Sequence, residues 1–426
     1  MKQRLFEFLK RKTSIDVIIN SIGNLINVFF IALLALIVVR VMKPVEYGVL
    51  SVLLGLIYVV SNILDFGVSA NIYSSVPNLI GKSRKQTFSF LKGNFIYQTS
   101  LSLFVLILLY IFFPFIDKNF LKIGGSQFVL FLSTFSIILL IWKNFIINVL
   151  LATKKILQVN IANILANLGI TLILFILVFY NSVSVSSVIF VYVVLNPILF
   201  FLFLIPGKKD YFKELMQAKI NKDDFKFKYS FTYFLSTQVF NLGSRMDLFL
   251  LSFYGLKVGV GLFGLSQKII LTILTTVVSV TQILSPDFAR VKNKKQAFHM
   301  FKTSFVYLLI PTGIYLFLLI TPNQVFSFMF TKEYAETALI TKSLVIPYVL
   351  FTLTNIGTLF LLYSVRKPGY LFTSSMIYLI GMTLGCFFFI PKLVVYAPSY
   401  VASISIFLGM LIFIYATFKE YWKLPK

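Results

Sequence analysis

Twelve stretches of roughly 20 mostly apolar residues follow one another along this chain, and each is long enough to cross the hydrocarbon core of a bilayer. They cover residues 15–41, 47–70, 94–116, 127–151, 158–180 and 187–206, then 230–254, 261–285, 303–321, 340–363, 370–390 and 399–418. With no water to satisfy backbone N–H and C=O groups in hydrocarbon, such stretches fold as helices that bond internally. The composition agrees: 58% of the 426 residues are hydrophobic and 12% charged, against about 45–50% and about 25% in soluble proteins. The expected fold class is all-α integral membrane, multi-pass, with about 12 transmembrane helices.

The formal charge of +25 comes from 39 Lys and Arg against 14 Asp and Glu. In a soluble chain this balance points to nucleic acid. Here the positions explain it. Placing the N-terminus in the cytoplasm puts 28 of the 39 basic residues in cytoplasmic segments and 7 outside. Cytoplasmic loops collect Lys and Arg, so both termini are expected inside, and no nucleic-acid partner is needed. The basic, amphipathic start MKQRLFEFLKRKTS, with no small-residue cleavage site after it, reads as an uncleaved cytoplasmic tail. One cysteine, Cys386, and one histidine, His299, exclude a disulfide framework and argue against a His- or Cys-based metal site or catalytic centre.

The longest hydrophilic stretch, 207–229, separates six spans from six. The expected organisation is an N-terminal six-helix lobe (1–206), a cytoplasmic linker (207–229) and a C-terminal six-helix lobe (230–426). Sequence echoes suggest a parallel duplication of the kind found in transporters. Gly48 in VEYGVLS matches Gly261 in GVGLFGLS, and Asn24 and Asn27 match Gln238 and Asn241.

Polar groups inside spans are costly and tend to face a bundle interior or a wet cavity. In span one, Asp16, Asn20, Asn24 and Asn27 share one helical face, and in span seven Gln238, Asn241 and Arg245 do so. Span five repeats the device with Asn160, Asn163 and Asn167. Such amides serve either as interhelical hydrogen-bonding groups or as the lining of a polar cavity. Arg245, Lys268 and Lys143 are the basic residues within spans that suit an anionic ligand, because guanidinium and ammonium groups pair with phosphate oxygens. Asp247 and Lys268 are expected at similar depth on antiparallel neighbours, where the alternative is a structural ion pair. Asp247, Asp65 and Asp16 are either interfacial carboxylates or sites of cation coupling. Pro197, Pro311 and Pro347 fit kinks, and the Gly381/Gly385 pair fits close helix packing.

The order of several segments resembles the oligosaccharide flippases of the Wzx/polysaccharide transporter family, in the MOP superfamily that also holds MATE multidrug exporters. The segments are MKPVEYGVLS, LDFGVSANIYSSVPNLIGK, RMDLFLLSFYGLKVGVGLFGLSQKI and ILSPDFARVKNK. The resemblance covers nearly the whole length. It implies a MATE-like, two-lobed, non-enzymatic transporter of a bacterial inner (plasma) membrane. Its implied substrate is a polyprenyl-pyrophosphate-linked oligosaccharide repeat unit (O-antigen or capsule), turned from the cytoplasmic to the outer leaflet. It implies no cofactor or metal, coupling to a proton or sodium gradient, and contact with membrane lipids and other polysaccharide-assembly membrane proteins. The substrate-binding candidates are then Arg245, Lys268, Lys143, Asn24, Asn27, Gln238, Asn241 and Asn163.

Two rivals stand beside this reading. A MATE-like exporter of cationic drugs is expected to have a net acidic cavity, and an exporter of another lipid-linked substrate, a lipid II flippase of the same superfamily, is expected to have about fourteen spans against the twelve counted here. A membrane polymerase or ligase is expected to carry a large external loop with catalytic Arg or His, and the longest external loop here, 321–339, holds Lys332 as its one basic residue.

Overall fold

A computed structural model describes residues 12–80, 83–124, 127–153, 155–205, 213–215, 217–219, 228–288 and 290–425. All regular structure among them is helical. Among the described residues, nine helical runs are long and apolar enough to cross a membrane, against the twelve crossings expected. The difference has local causes. The last run joins two helices, Gly369–Leu393 and Ala397–Lys423, through a 3-10 turn. The expected seventh crossing is broken at Arg245, and the first is described in full only over its second half.

The chain forms two compact units. The first comprises residues 1–41, 60–114 and 125–231, and the second residues 42–59, 115–124 and 232–426. The first unit holds α1 (Lys12–Val41), the last residues of α2 (Pro44–Ile63), α3 (Val68–Ile80), most of α4 (Arg84–Ile116), α5 (Gln127–Ala152), α6 (Ile156–Phe179) and α7 (Val185–Leu204). Its core joins Ile72 and Val76 of α3, Leu91 of α4, Val149 of α5, Ala166 of α6 and Phe200 of α7, all essentially without solvent contact. Alanine and glycine let α1 and α6 approach, since a Cβ on Gly23 would overlap the Asn160 side chain.

The second unit is built from the rest of α2, α8 (Lys228–Gly243), α9 (Met246–Phe253), α10 (Lys257–Phe288), α11 (Lys294–Ile320), α12 (Asn323–Phe330), α13 (Thr337–Leu359), α14 (Gly369–Leu393) and α15 (Ala397–Lys423). The Gly381/Gly385 pair does pack closely: a Cβ on Gly381 would meet the Ser405 hydroxyl, and one on Gly385 would lie 2.5 Å from Val401 Cγ1. Several helices begin in polar sequence before the apolar run. The α11 helix starts nine residues ahead of its expected span, because the Asn293 side chain accepts from the Gln296 N–H at 2.9 Å and caps it.

The outward faces are apolar. Phe179 is 80% exposed and Phe328 82%, and Phe104, Ile111 and Phe317 are also exposed, which in water would be an aggregation hazard. In a bilayer these faces meet lipid, so the chain is a multi-pass membrane protein.

Two helix breaks position polar groups. The expected second span, 47–70, ends early: α2 stops at Ile63, Phe66 and Gly67 take left-handed backbone angles (φ 47° and 79°), and α3 starts at Val68. In the seventh span, α8 ends at Gly243 and Arg245 takes a non-helical conformation (φ −122°, ψ −5°) before α9 resumes.

Candidate functional site

The break between α8 and α9 places Arg245 and Asp247 side by side, within reach of Gln267 on α10. Arg245, half-buried, donates from Nη1 to Gln267 Oε1 at 2.6 Å, and its guanidinium lies 5.0 Å from the centre of the Tyr58 ring. Its Nε is buried without a hydrogen-bond partner. Gln267 on α10 is the hub. Its Nε2 donates to Asp247 Oδ2 at 2.7 Å and to the Ser244 carbonyl at 3.2 Å, so one amide holds arginine, carboxylate and the broken backbone together. Asp247, 4% exposed, sits in the first turn of α9, where a carboxylate is favoured, and accepts the Leu248 N–H at 2.7 Å.

Lys268 follows Gln267 on α10 and is half-buried. The alternative of an Asp247–Lys268 ion pair is not realised: none of the ion pairs among the described residues contains either one. Neighbours on a helix point about 100° apart, so when Gln267 faces Asp247, Lys268 is turned aside. The outcome is a cluster of Arg245, Gln267 and Asp247 in which the carboxylate is already engaged by an amide, with Lys268 one residue along α10. Gln238 and Asn241 lie on the preceding helix, but they bond each other within α8 (Asn241 Nδ2 to Gln238 Oε1, 3.2 Å).

Lys143 belongs to the first unit. There it starts a hydrogen-bonded chain through amides on three other helices. Lys143 Nζ donates to Asn196 Oδ1 at 2.5 Å, Asn196 Nδ2 to Asn167 Oδ1 at 2.8 Å, and Asn167 Nδ2 to Asn27 Oδ1 at 2.9 Å. The ammonium also lies 5.1 Å from the Phe200 ring centre. For Asn27 and Asn167 the amide stripes are thus interhelical hydrogen-bonding groups. Asn163, half-buried one turn earlier on α6, lies outside this chain. Asn24 and Asp16 lie on α1, and their side chains fall outside the described residues.

Asp65 caps α3 at the break after α2, accepting from Ser69 N–H at 3.3 Å and Ser69 hydroxyl at 2.6 Å. The Ser69 hydroxyl in turn accepts from Asn148 Nδ2 at 2.5 Å, and Asn148 Oδ1 accepts from the Tyr73 hydroxyl at 3.0 Å. Asp65 thus serves as the cap of α3. Sequence reasoning missed Gln267, Asn196 and Ser69. Gln267 was legible as a second polar residue beside Lys268 in an apolar run, and Asn196 was overshadowed by its neighbour Pro197. No cluster of three or more His, Cys, Asp or Glu fit to hold a metal occurs among the described residues.

No family model and no curated protein matches the sequence. Solved structures do match in fold. A lipid II flippase, MurJ, in an inward closed conformation superposes with a TM-score of 0.73 at 15% identity, over 95% of this chain and 89% of that one. An inward-facing MATE-family multidrug transporter of the MOP superfamily gives 0.69 at 14% identity, over 95% and 98%. A MOP superfamily transporter from Pyrococcus furiosus, described as having a binding pocket of reverse polarity, gives 0.60 at 13% identity, over 94% and 95%. At these identities the likeness shows the fold alone: the chain has the fold of these membrane transporters.

Proposed function

We propose that this protein is a flippase of the MOP superfamily that carries polyprenyl-pyrophosphate-linked oligosaccharide repeat units from the cytoplasmic to the outer leaflet of a bacterial plasma membrane, for O-antigen or capsule assembly. One observation carries the reading. Arg245 interrupts the apolar run between α8 and α9, the carboxylate of Asp247 beside it is engaged by Gln267, and Arg245 Nε is buried with no partner. A guanidinium with an unspent donor in a low-dielectric setting, with Lys268 next to Gln267 on α10, fits the oxygens of a diphosphate. It does not fit a cationic drug, which is what argues against the multidrug reading.

The reading includes twelve crossings in two six-helix lobes (1–206 and 230–426, joined by 207–229), with both termini cytoplasmic. The basic residues of the cytoplasmic segments support it. Transport proceeds by alternating access, in which the lobes rock while the lipid tail stays in the bilayer. Coupling uses a proton or sodium gradient, with Asp247 as the first candidate among Asp247, Asp65 and Asp16, because Asp247 lies in contact with the Arg245–Gln267 cluster. The partners are the lipid-linked oligosaccharide, membrane lipids and other polysaccharide-assembly membrane proteins.

The test is surface glycan in cells whose own copy is deleted. Arg245→Ala abolishes the glycan while membrane immunoblots show the protein at its normal level. Normal glycan with that variant at normal level overturns the assignment of Arg245.

A further inference from the structure

The second unit contains a cavity of about 370 Å³, lined from α8, α10, α13, α14 and α15. Its volume falls within the range of small-ligand sites, roughly 300–1,000 Å³. Among the described residues that line it, none is charged, so it differs in kind from the Arg245 cluster.

Two features of the lining define a ligand. The first is a stack of three rings: Phe240 lies 5.1 Å from Phe351 and 4.9 Å from Tyr378, with interplanar angles of 20° and 25°, and all three border the cavity. Phe240 is the middle ring, so the flat, polarisable surface left for the C–H face of a ligand ring is that of the outer rings, Phe351 and Tyr378. The second is the polarity of the α13 wall. The Thr354 hydroxyl donates to the Leu350 carbonyl at 2.8 Å, Asn355 Nδ2 to the Phe351 carbonyl at 2.8 Å, and the Thr358 hydroxyl to the Thr354 carbonyl at 3.3 Å. Both hydroxyl donors and one of the two Asn355 amide N–H groups are spent on their own helix. What remains for the cavity is chiefly acceptor capacity, the hydroxyl lone pairs and the Asn355 amide oxygen, with one amide N–H beside it. Thr281, on the α10 wall, is bonded in the same way to the Val278 carbonyl at 2.9 Å.

An uncharged site with acceptors on one wall and stacked rings on another selects a ligand with an apolar ring face and many neutral O–H donors. We propose that this cavity binds a neutral pyranose ring. A metal cation is less well served, because hard cations draw on carboxylate oxygens and none lines the cavity. The proposal rests on the flippase reading in one respect only, that the sugar is part of the lipid-linked substrate whose diphosphate meets Arg245.

The probe is a neutral soluble disaccharide, maltose, added to the purified full chain in lipid nanodiscs and followed by saturation-transfer-difference NMR. Ring-proton signals are expected from the wild type, with a roughly tenfold loss of affinity in Asn355→Leu, the size expected when a hydrogen-bonded acceptor is removed. Thr354→Val, a near-isosteric change, gives a second reading if Asn355→Leu folds poorly. Lys423→Ala, outside the cavity lining, leaves the signal unchanged. Absence of signal from the wild type, signals undiminished from wild type in both cavity variants, or sodium-dependent sodium-23 line broadening lost in Asn355→Leu without any sugar signal each overturns the proposal. Failure of the flippase reading shows separately, as retained sugar binding in a protein whose Arg245→Ala variant makes normal glycan.

Discussion

Gly48 and Gly261 lie against each other's backbone in a reciprocal contact. A Cβ on Gly48 would fall 2.5 Å from the Lys257 carbonyl oxygen and 3.0 Å from Gly261 N, and a Cβ on Gly261 would overlap the Pro44 carbonyl and lie 3.2 Å from Gly48 N. Pro44 relates to Lys257 as Gly48 relates to Gly261, by the same 213-residue shift along the chain. A contact in which each side uses the same surface is what a two-fold relation generates, so the sequence echo and the packing are one feature. The contact tolerates no side chain, because the obstacles are backbone atoms. Gly261→Ala is expected to destabilise the protein by about 1–3 kcal/mol through overpacking, read as a lowered melting temperature in detergent. An unchanged melting temperature contradicts the close crossing of α2 and α10.

The Lys143–Asn196–Asn167–Asn27 chain crosses four helices of the first unit. Asn196→Leu removes both of its links and is expected to cost about 1.5–3 kcal/mol, the range for hydrogen bonds to a charged group. In a double-mutant cycle with Lys143→Met, the two losses are expected to sum to more than the double variant shows. Strict additivity in thermal unfolding argues that the chain is not formed.

Gln267 is bonded to Arg245, Asp247 and the Ser244 carbonyl at once. Gln267→Leu frees both charges and leaves the helix break unsupported. Translocation is expected to fall about 10-fold or more, as when an orienting partner of a functional group is lost, while Gln238→Leu, whose side chain bonds within α8, changes it less. Equal effects of the two variants contradict the role of Gln267 as hub.

At the end of α15, Glu420 is 3% exposed and accepts from Lys367 at 2.8 Å, Lys423 at 2.9 Å and the Tyr370 hydroxyl at 3.2 Å. Its carboxylate holds the Lys367 ammonium above the usual lysine range, chiefly through their hydrogen bond. That contribution is full below the ordinary lysine value and is lost as the pH rises through the raised one. Glu420→Ala leaves three donors without their acceptor and is expected to lower stability by about 1–3 kcal/mol, whereas Lys423→Ala, half-exposed, costs under about 1 kcal/mol. Thermal unfolding of the two variants separates these magnitudes, and similar shifts in both contradict the account.

The helical membrane architecture was legible because it rests on composition and run length, which no local packing can override. The amide stripe of span five was legible too, since Asn167 does meet Asn27 of span one. What the sequence could not reveal was set by rotation about helix axes and by helix ends. Asp247 chose Gln267 over Lys268 because adjacent residues on α10 face different ways. Asp65 spends its oxygens capping α3, a role invisible until the chain breaks at Phe66 and Gly67. Lys143 bonds an amide of its own unit, Asn196, whose place beside it depends on how α5 and α7 pack.

The most direct test of the central claim is leaflet translocation in proteoliposomes loaded with a fluorescent polyprenyl-pyrophosphate oligosaccharide, read by quenching from outside. The account predicts that the purified protein moves the lipid to the quenchable leaflet faster than protein-free vesicles do, and that Arg245→Ala returns the rate to the protein-free level. Translocation no faster than in protein-free vesicles, or an undiminished rate with Arg245→Ala, contradicts it.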